Sequence, residues 1–239
     1  MKFVKAHGLG NDFIMIFQDI SKEDMILLSD RKLGIGCDQV IQNINNNGQY
    51  NVRFWNQDGS EANLCGNGIR CLAQYYDRVI NKFHTNSGII HTVKLNNEQV
   101  AFSLPVIPVI KQMSYKLPTY DVHIGNEHIV IFINNEPDWD QITHDFQDYL
   151  SIKNIMCIWH DKQWNIRSWE RGVGRTLACG SGTIAAACAV WENNKSLTLG
   201  NKDNITFHTE IGELSVIKKK QIWQIGPANI VANGNFKLI

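Results

Sequence analysis

The feature that most constrains this chain is a gapless internal match. Residues 51–68, Asn-Val-Arg-Phe-Trp-Asn-Gln-Asp-Gly-Ser-Glu-Ala-Asn-Leu-Cys-Gly-Asn-Gly, align with residues 165–182, Asn-Ile-Arg-Ser-Trp-Glu-Arg-Gly-Val-Gly-Arg-Thr-Leu-Ala-Cys-Gly-Ser-Gly. Asn51/Asn165, Arg53/Arg167, Trp55/Trp169, Cys65/Cys179, Gly66/Gly180 and Gly68/Gly182 are identical. A second pair keeps nearly the same offset: Gly10–Phe17 matches Gly125–Phe132. Each half then closes on a hairpin-like stretch that ends in proline, Gly88 to Pro105 and Gly212 to Pro227. Matches in one order and one register point to a duplicated unit, since a repeat spacing reflects a repeated structural module.

The repeat divides the 239 residues into half-domains 1–114 and 115–228, with a terminal strand 229–239 available to complete the first. Pro105, Pro108 and Pro118 cluster near the expected boundary, where they break regular structure. In each half a β-prone run, Val52–Trp55 or Ile166–Trp169, leads into a glycine-containing loop. Then come Cys-Gly-x-Gly and a predicted helix, Ile69 to Ile80 or Thr183 to Trp191. The second helix is apolar almost all round, which predicts full burial. Ile129–Ile133, Val93–Leu104 and Leu214–Ile225 read as strands. The expected class is α+β: two pseudo-symmetric halves, each a curved, mostly antiparallel sheet or barrel around a central helix, with the active site in the cleft between them.

Composition narrows the function. Lys+Arg and Asp+Glu both number 23, so no net charge draws the chain to nucleic acid or an anionic membrane. No apolar stretch reaches membrane-spanning length, and Met1–Gly8 has no apolar segment of the kind that secretion uses. The expectation is a cytoplasmic protein. Its six cysteines, Cys37, Cys65, Cys71, Cys157, Cys179 and Cys188, are then reduced thiols. The spacings Cys65-x5-Cys71 and Cys179-x8-Cys188 do not fit structural zinc, and the eight histidines form no metalloprotease pattern. Gly180-x-Gly182-x-x-Ala185 formally fits a dinucleotide fingerprint, but its copy Gly66-x-Gly68-x-x-Cys71 does not.

Cys65 and Cys179 each precede a predicted helix. Helix N-termini offer unsatisfied N–H groups that hold carboxylates, and their dipole favours a thiolate. Two such loops facing one another suit inversion at a carbon next to a carboxylate: one thiolate removes a proton and the opposite thiol returns one. The competing reading is that both cysteines are buried helix-start residues inherited with the duplication.

Further matches extend the pattern. Phe54-Trp55-Asn56-Gln57-Asp58-Gly59-Ser60 with Cys65-Gly66-Asn67-Gly68-Ile69-Arg70-Cys71, and Trp169-Glu170-Arg171-Gly172 with Ala178-Cys179-Gly180-Ser181-Gly182, resemble the two signatures of the diaminopimelate epimerase family. His7–Phe13, Gly34–Gln39 and Gly226-Pro227-Ala228 match in the same order, so the resemblance spans essentially the whole chain. It implies an isomerase of amino-acid biosynthesis, in lysine and cell-wall precursor formation, that works without pyridoxal phosphate, metal or other cofactor. Cys65 and Cys179 would be the catalytic pair. Backbone amides of Gly66, Asn67, Gly180 and Ser181 would hold the reacting carboxylate. Asn56, Asn126, Asn154 and Arg171 would bind the distal carboxylate and Glu170 the distal ammonium. Asn11 and Gln39 would line the pocket, and His128 and Glu170 would tune the thiols.

The departures from that family are Glu127 where proline is usual, Arg175 where an acidic residue is common, and Ala232 at a position often aromatic in a dimer contact. Ala232 leaves a homodimer open, and Glu127 and Arg175 raise a racemase of another amino acid, such as histidine, as an alternative. A non-catalytic amino-acid-binding protein is the remaining alternative.

Overall fold

A computed structural model of the chain describes residues 1–76, 80–193 and 203–237. It divides into two compact units, Met1–Pro105 with Ile225–Ile239, and Val106–Gln224. In the first unit the strands are β1 (Lys2–Gly8), β2 (Asn11–Ile16), β3 (Gln39–Asn46), β4 (Gln49–Asn56), β5 (Glu61–Ala62), β6 (Ile80–Thr85), β7 (Gly88–Lys94) and β8 (Gln99–Ser103). Helix α1 (Lys22–Ser29) lies between β2 and β3, and α2 (Gly66–Tyr75) between β5 and β6. The second unit holds β9 (Val109–Met113), β10 (Thr119–His123), β11 (Glu127–Phe132), β12 (Asn154–His160), β13 (Trp164–Glu170), β14 (Gly174–Thr176), β15 (Asn204–His208) and β16 (Glu213–Lys218). Its helices are α3 (Trp139–Asp145), before β12, and α4 (Gly180–Asn193), after β14. The chain returns to the first unit within β17 (Ile222–Pro227) and ends on β18 (Asn229–Asn235).

The duplication is plain in the pairing. In the first unit β2 runs parallel to β3, β3 antiparallel to β4, β4 antiparallel to β5 and parallel to β6, and β6 antiparallel to β7. In the second, β11, β12, β13, β14, β15 and β16 repeat that series pair by pair. A parallel pair needs a crossover. In both units one crossover carries a short surface helix and the other carries the helix that opens on Cys-Gly-x-Gly.

Those second crossover helices form the cores. Helix α2 packs against β1, β2, β7, β8 and β18, and α4 against β9, β10, β11, β12 and β16. In α4 every residue from Gly182 to Trp191 is buried, as an all-round apolar sequence requires. The second glycine of each Cys-Gly-x-Gly permits this. A Cβ on Gly68 would lie 2.9 Å from the Phe54 ring, and one on Gly182 would lie 2.0 Å from Met156 Sδ.

Several expectations shift. The boundary expected at 114/115 falls at 105/106 in this division, because β9 pairs along its length with β10. The closing strand β18 pairs with β1. The predicted helix from Ile69 begins earlier, at Gly66, and is helical to Tyr75; residues 77–79 of that prediction lie outside the described residues. The run Val93–Leu104 is two strands, since the Asn96 side chain accepts from the Glu98 and Gln99 N–H groups at 2.8 Å each and turns the chain. Leu214–Ile225 likewise divides between β16 and β17. Helices α1 and α3 were not anticipated. Each carries a legible N-cap: Ser21 accepts from Asp24 N–H and Asp138 from Gln141 N–H.

Candidate active site

The candidate residues fall into two groups, one on each unit. In the first, Cys65 is the N-cap of α2 with extended backbone (φ −129°, ψ 110°), and its carbonyl accepts from Ile69 N–H at 2.9 Å. Gly66 and Asn67 open the helix, so by helix geometry their N–H groups lack intrahelical acceptors. The first turn contains no acidic residue to neutralise its positive end. The Cys65 thiol, half-buried, donates to Asn11 Oδ1 at 3.7 Å, and Asn67 Nδ2 donates to the same oxygen at 3.4 Å. Gln39 and Asn56 are cross-strand partners on β3 and β4, and Gln39 Nε2 donates to Asn56 Oδ1 at 2.8 Å. Asn56 Nδ2 is directed to Ser60 Oγ at 3.0 Å, while Gln39 Oε1 is buried with no hydrogen-bond partner.

In the second group Cys179 stands immediately before α4 and is 4% exposed. Its sulfur accepts from Gly182 N–H at 3.3 Å and lies 3.6 Å from Ser181 Oγ. Ser181 Oγ accepts from Asn126 Nδ2 at 3.1 Å, and Asn126 Oδ1 is 3.0 Å from His128 Nε2. An amide oxygen only accepts, so Nε2 carries the proton and the buried Nδ1 has none. Burial pulls His128 down to about 3, so the ring is neutral at physiological pH and reaches the cysteine through Asn126 and Ser181. Burial pushes the Cys179 thiol well above its ordinary range, and the charge and hydrogen bond of Glu170 add to that rise. Ser181 and the Gly182 N–H oppose it.

Glu170 is itself held by Thr176 Oγ1 at 2.6 Å. Asn154 Oδ1 accepts from the Arg171 N–H at 2.9 Å and so fixes the backbone at the end of β13, while the Arg171 side chain is exposed. Gln224 Nε2 anchors the start of α4 by donating to Gly180 O at 2.6 Å, a contact the sequence reading missed. The departures are absorbed locally. Glu127 pairs with His123 at 2.7 Å and Lys153 at 3.5 Å while His128 keeps its bond to Asn126. Arg175 pairs with Glu210 at 3.4 Å.

The remaining cysteines behave as packing residues. Burial pushes Cys37 to about 11 and Cys71, Cys157 and Cys188 to about 12. All six cysteines are free. Among the described residues no three His, Cys, Asp or Glu side chains gather as a metal site would need, and no helix is long and apolar enough to cross a membrane.

Comparison with known proteins places this arrangement. A sequence model of the diaminopimelate epimerase family matches residues 3–103. The diaminopimelate epimerase of Nitrosospira multiformis is 30% identical, over 100% of this chain and 99% of that protein. That of Rickettsia rickettsii is 33% identical, over 99% and 97%. Among solved structures, a phenazine biosynthesis protein of the PhzF family from Bacillus anthracis superposes with a TM-score of 0.76 at 14% identity, covering 100% of this chain and 99% of that one. A probable proline racemase from Agrobacterium radiobacter K84 gives 0.74 at 10% identity, covering 100% and 93%. These two share the fold. The full-length relatives carry the assignment: the chain belongs to the diaminopimelate epimerase family, a family of isomerases.

Proposed function

We propose that this protein interconverts LL- and meso-2,6-diaminopimelate by a two-base mechanism with no cofactor, as a step of lysine and cell-wall precursor synthesis. The observation that carries the reading is the duplicated helix start: in each unit a cysteine stands at the head of the core helix, ahead of two residues whose N–H groups, by helix geometry, have no intrahelical acceptor. A proton next to a carboxylate is weakly acidic because its removal places charge on the carboxylate oxygens. The amides of Gly66, Asn67, Gly180 and Ser181, aided by two helix dipoles, would stabilise that charge as it develops.

The step balances simply. A thiolate takes the α-proton and becomes a thiol, and the C–H electron pair moves toward the carboxylate. The other cysteine delivers its proton to the opposite face and becomes a thiolate. The stereocentre is inverted and the two sulfurs have exchanged roles. The chemistry requires both sulfurs to reach one carbon from opposite sides. In this reading Arg171 with Asn56, Asn126 and Asn154 takes the distal carboxylate, and Glu170 the distal ammonium. Asn11 and Gln39 line the pocket. Glu170 tunes Cys179 directly and His128 does so through its two intermediaries.

The test is epimerisation of LL-diaminopimelate by purified, reduced protein in D2O, with deuterium incorporation at the α-carbon followed alongside. Inversion accompanied by solvent deuterium is expected. Absence of both, or faster racemisation of a monocarboxylic amino acid such as histidine, overturns the proposed substrate.

A further inference from the structure

Among the described residues the largest fully buried side chain is a cation, Arg70, on the helix that Cys65 opens. It follows Asn67 by three residues, and side chains so spaced meet on one helix face and lean toward the N-terminus. Arg70 Nη2 donates to Asn67 Oδ1 at 2.6 Å, and Nε donates to Pro227 O at 3.3 Å. A guanidinium has no acceptor, so it dictates which end of the Asn67 amide faces it. Asn67 Nδ2 must therefore point onward, to Asn11 Oδ1. At the far end Asn11 Nδ2 donates to Asp38 Oδ2 at 3.1 Å, and a carboxylate can only accept. A donor-only group and an acceptor-only group thus bracket two amides and leave each a single orientation. The oxygen left facing the sulfur is Asn11 Oδ1, which receives the Cys65 S–H.

We propose that Arg70 is a positioning residue of the first half-site: together with Asp38 it sets the direction of this amide relay so that Asn11 Oδ1 is aimed at Cys65, and its charge favours the thiolate that forms when Cys65 gives up its proton. Burial lowers the guanidinium to about 10, which leaves it charged at neutral pH, and negative charge on Cys65 or Cys71 attracts it. Cys71 itself stays a thiol, pushed to about 12 by burial. On the strands packed against α2 the ionisable groups are Lys2, Lys5 and His7 on β1, Asp12 on β2, and His91 and Lys94 on β7. Lys5 is tied to Asp12 at 2.6 Å, and behind Asn11 the Asp38 carboxylate is paired with Arg31 at 2.8 Å.

The proposal rests on Cys65 being an acid–base group, yet its test needs no substrate. Iodoacetamide alkylation of Cys65 is followed by peptide mass spectrometry from about pH 6 to about pH 10, with Cys179 in the same digest as reference. In Arg70→Met, Asp38 still orients Asn11, so loss of charge decides the sign. The Cys65 profile moves upward by about one pH unit, roughly a tenfold slower reaction at neutral pH. Arg70→Lys, which keeps charge and donor, restores the profile. Asp38→Asn, at the half-exposed end, removes a negative charge and frees the Asn11 amide to turn, so it moves the profile to lower pH. All three leave the Cys179 profile in place. A folded Arg70→Met with the wild-type Cys65 profile overturns the proposal. So does an unchanged profile in Asp38→Asn, whether or not Arg70→Met folds. If the shifts occur in a protein that epimerises nothing, the relay stands and the assigned reaction fails.

Discussion

The two helix starts are copies in sequence and topology, yet they surround their cysteines differently. Cys65 is half-buried, donates a hydrogen bond to the Asn11 amide oxygen, and has a buried cation behind Asn67, the next amide of that relay. Cys179 is buried, receives a backbone N–H, faces a carboxylate, and has a neutral imidazole behind its own relay. Duplication supplied the same loop twice, and substitutions one side chain further out made the two sulfurs chemically distinct. In the proposed two-base reaction one sulfur is protonated and the other is not, and each turnover exchanges these roles, so both environments must serve both states.

The sharpest way to break the comparison is to remove each sulfur in turn. Cys65→Ala and Cys179→Ala should each lower epimerisation by roughly a thousandfold, within the range of a lost general acid or base. A variant of either that retains wild-type turnover would end the two-base reading. The next effect separates the buried groups behind the relays. His128 is depressed to about 3 in the folded protein against 6.5 in an unfolded chain. Between those values the unfolded chain binds a proton that the native state does not. The stability from His128 is therefore present above about pH 6.5 and is lost as pH falls toward 3, by roughly 3 kcal/mol at pH 4. Arg70 stays charged throughout that range. Urea denaturation across the window, comparing wild type with His128→Gln, should show the acid sensitivity of the second unit shrink in the variant.

Packing gives a smaller contrast. Gly182→Ala meets Met156 Sδ at 2.0 Å and Gly68→Ala meets Phe54 at 2.9 Å. The first should cost about 3 kcal/mol and the second about 1, as overpacking of a close contact does. Equal midpoints in chemical denaturation would contradict this order. The smallest expected effect is electrostatic. Glu170→Gln removes a charge that raises Cys179, so alkylation of that thiol should begin at lower pH while Cys65 is unaffected. Parallel shifts at both cysteines would mean that the two environments are not independent.

Much of this was legible in the sequence for definite reasons. Strands β4 and β13 read out because their aromatic and β-branched residues fit a pleated surface, and α4 because a run of Ala, Ile and Val admits no polar face. The cysteines stood out because the repeat returned them at the same register. Helices α1 and α3 were missed although Ser21 and Asp138 cap them, since eight or seven residues provide little periodicity. The turn at Asn96 was missed because it depends on a side chain folding back on its own backbone. The relays were the least legible. Arg70 and Asn67 are neighbours on a helix, but Asn11, Asp38 and Pro227 join them only through the tertiary fold.

The pairing of β18 with β1 bears on how the protein is made. Lys2 lies opposite Asn235, and the amino terminus donates to Phe236 O at 2.8 Å. During synthesis the second unit has all its strands once residue 224 has left the ribosome, whereas the first unit, begun earlier, still lacks a strand beside β1. The half that starts first therefore finishes last. Its closing contact spans nearly the entire chain, which is the slowest kind to form. Until then the edge of β1 that β18 covers is open to strands of other molecules.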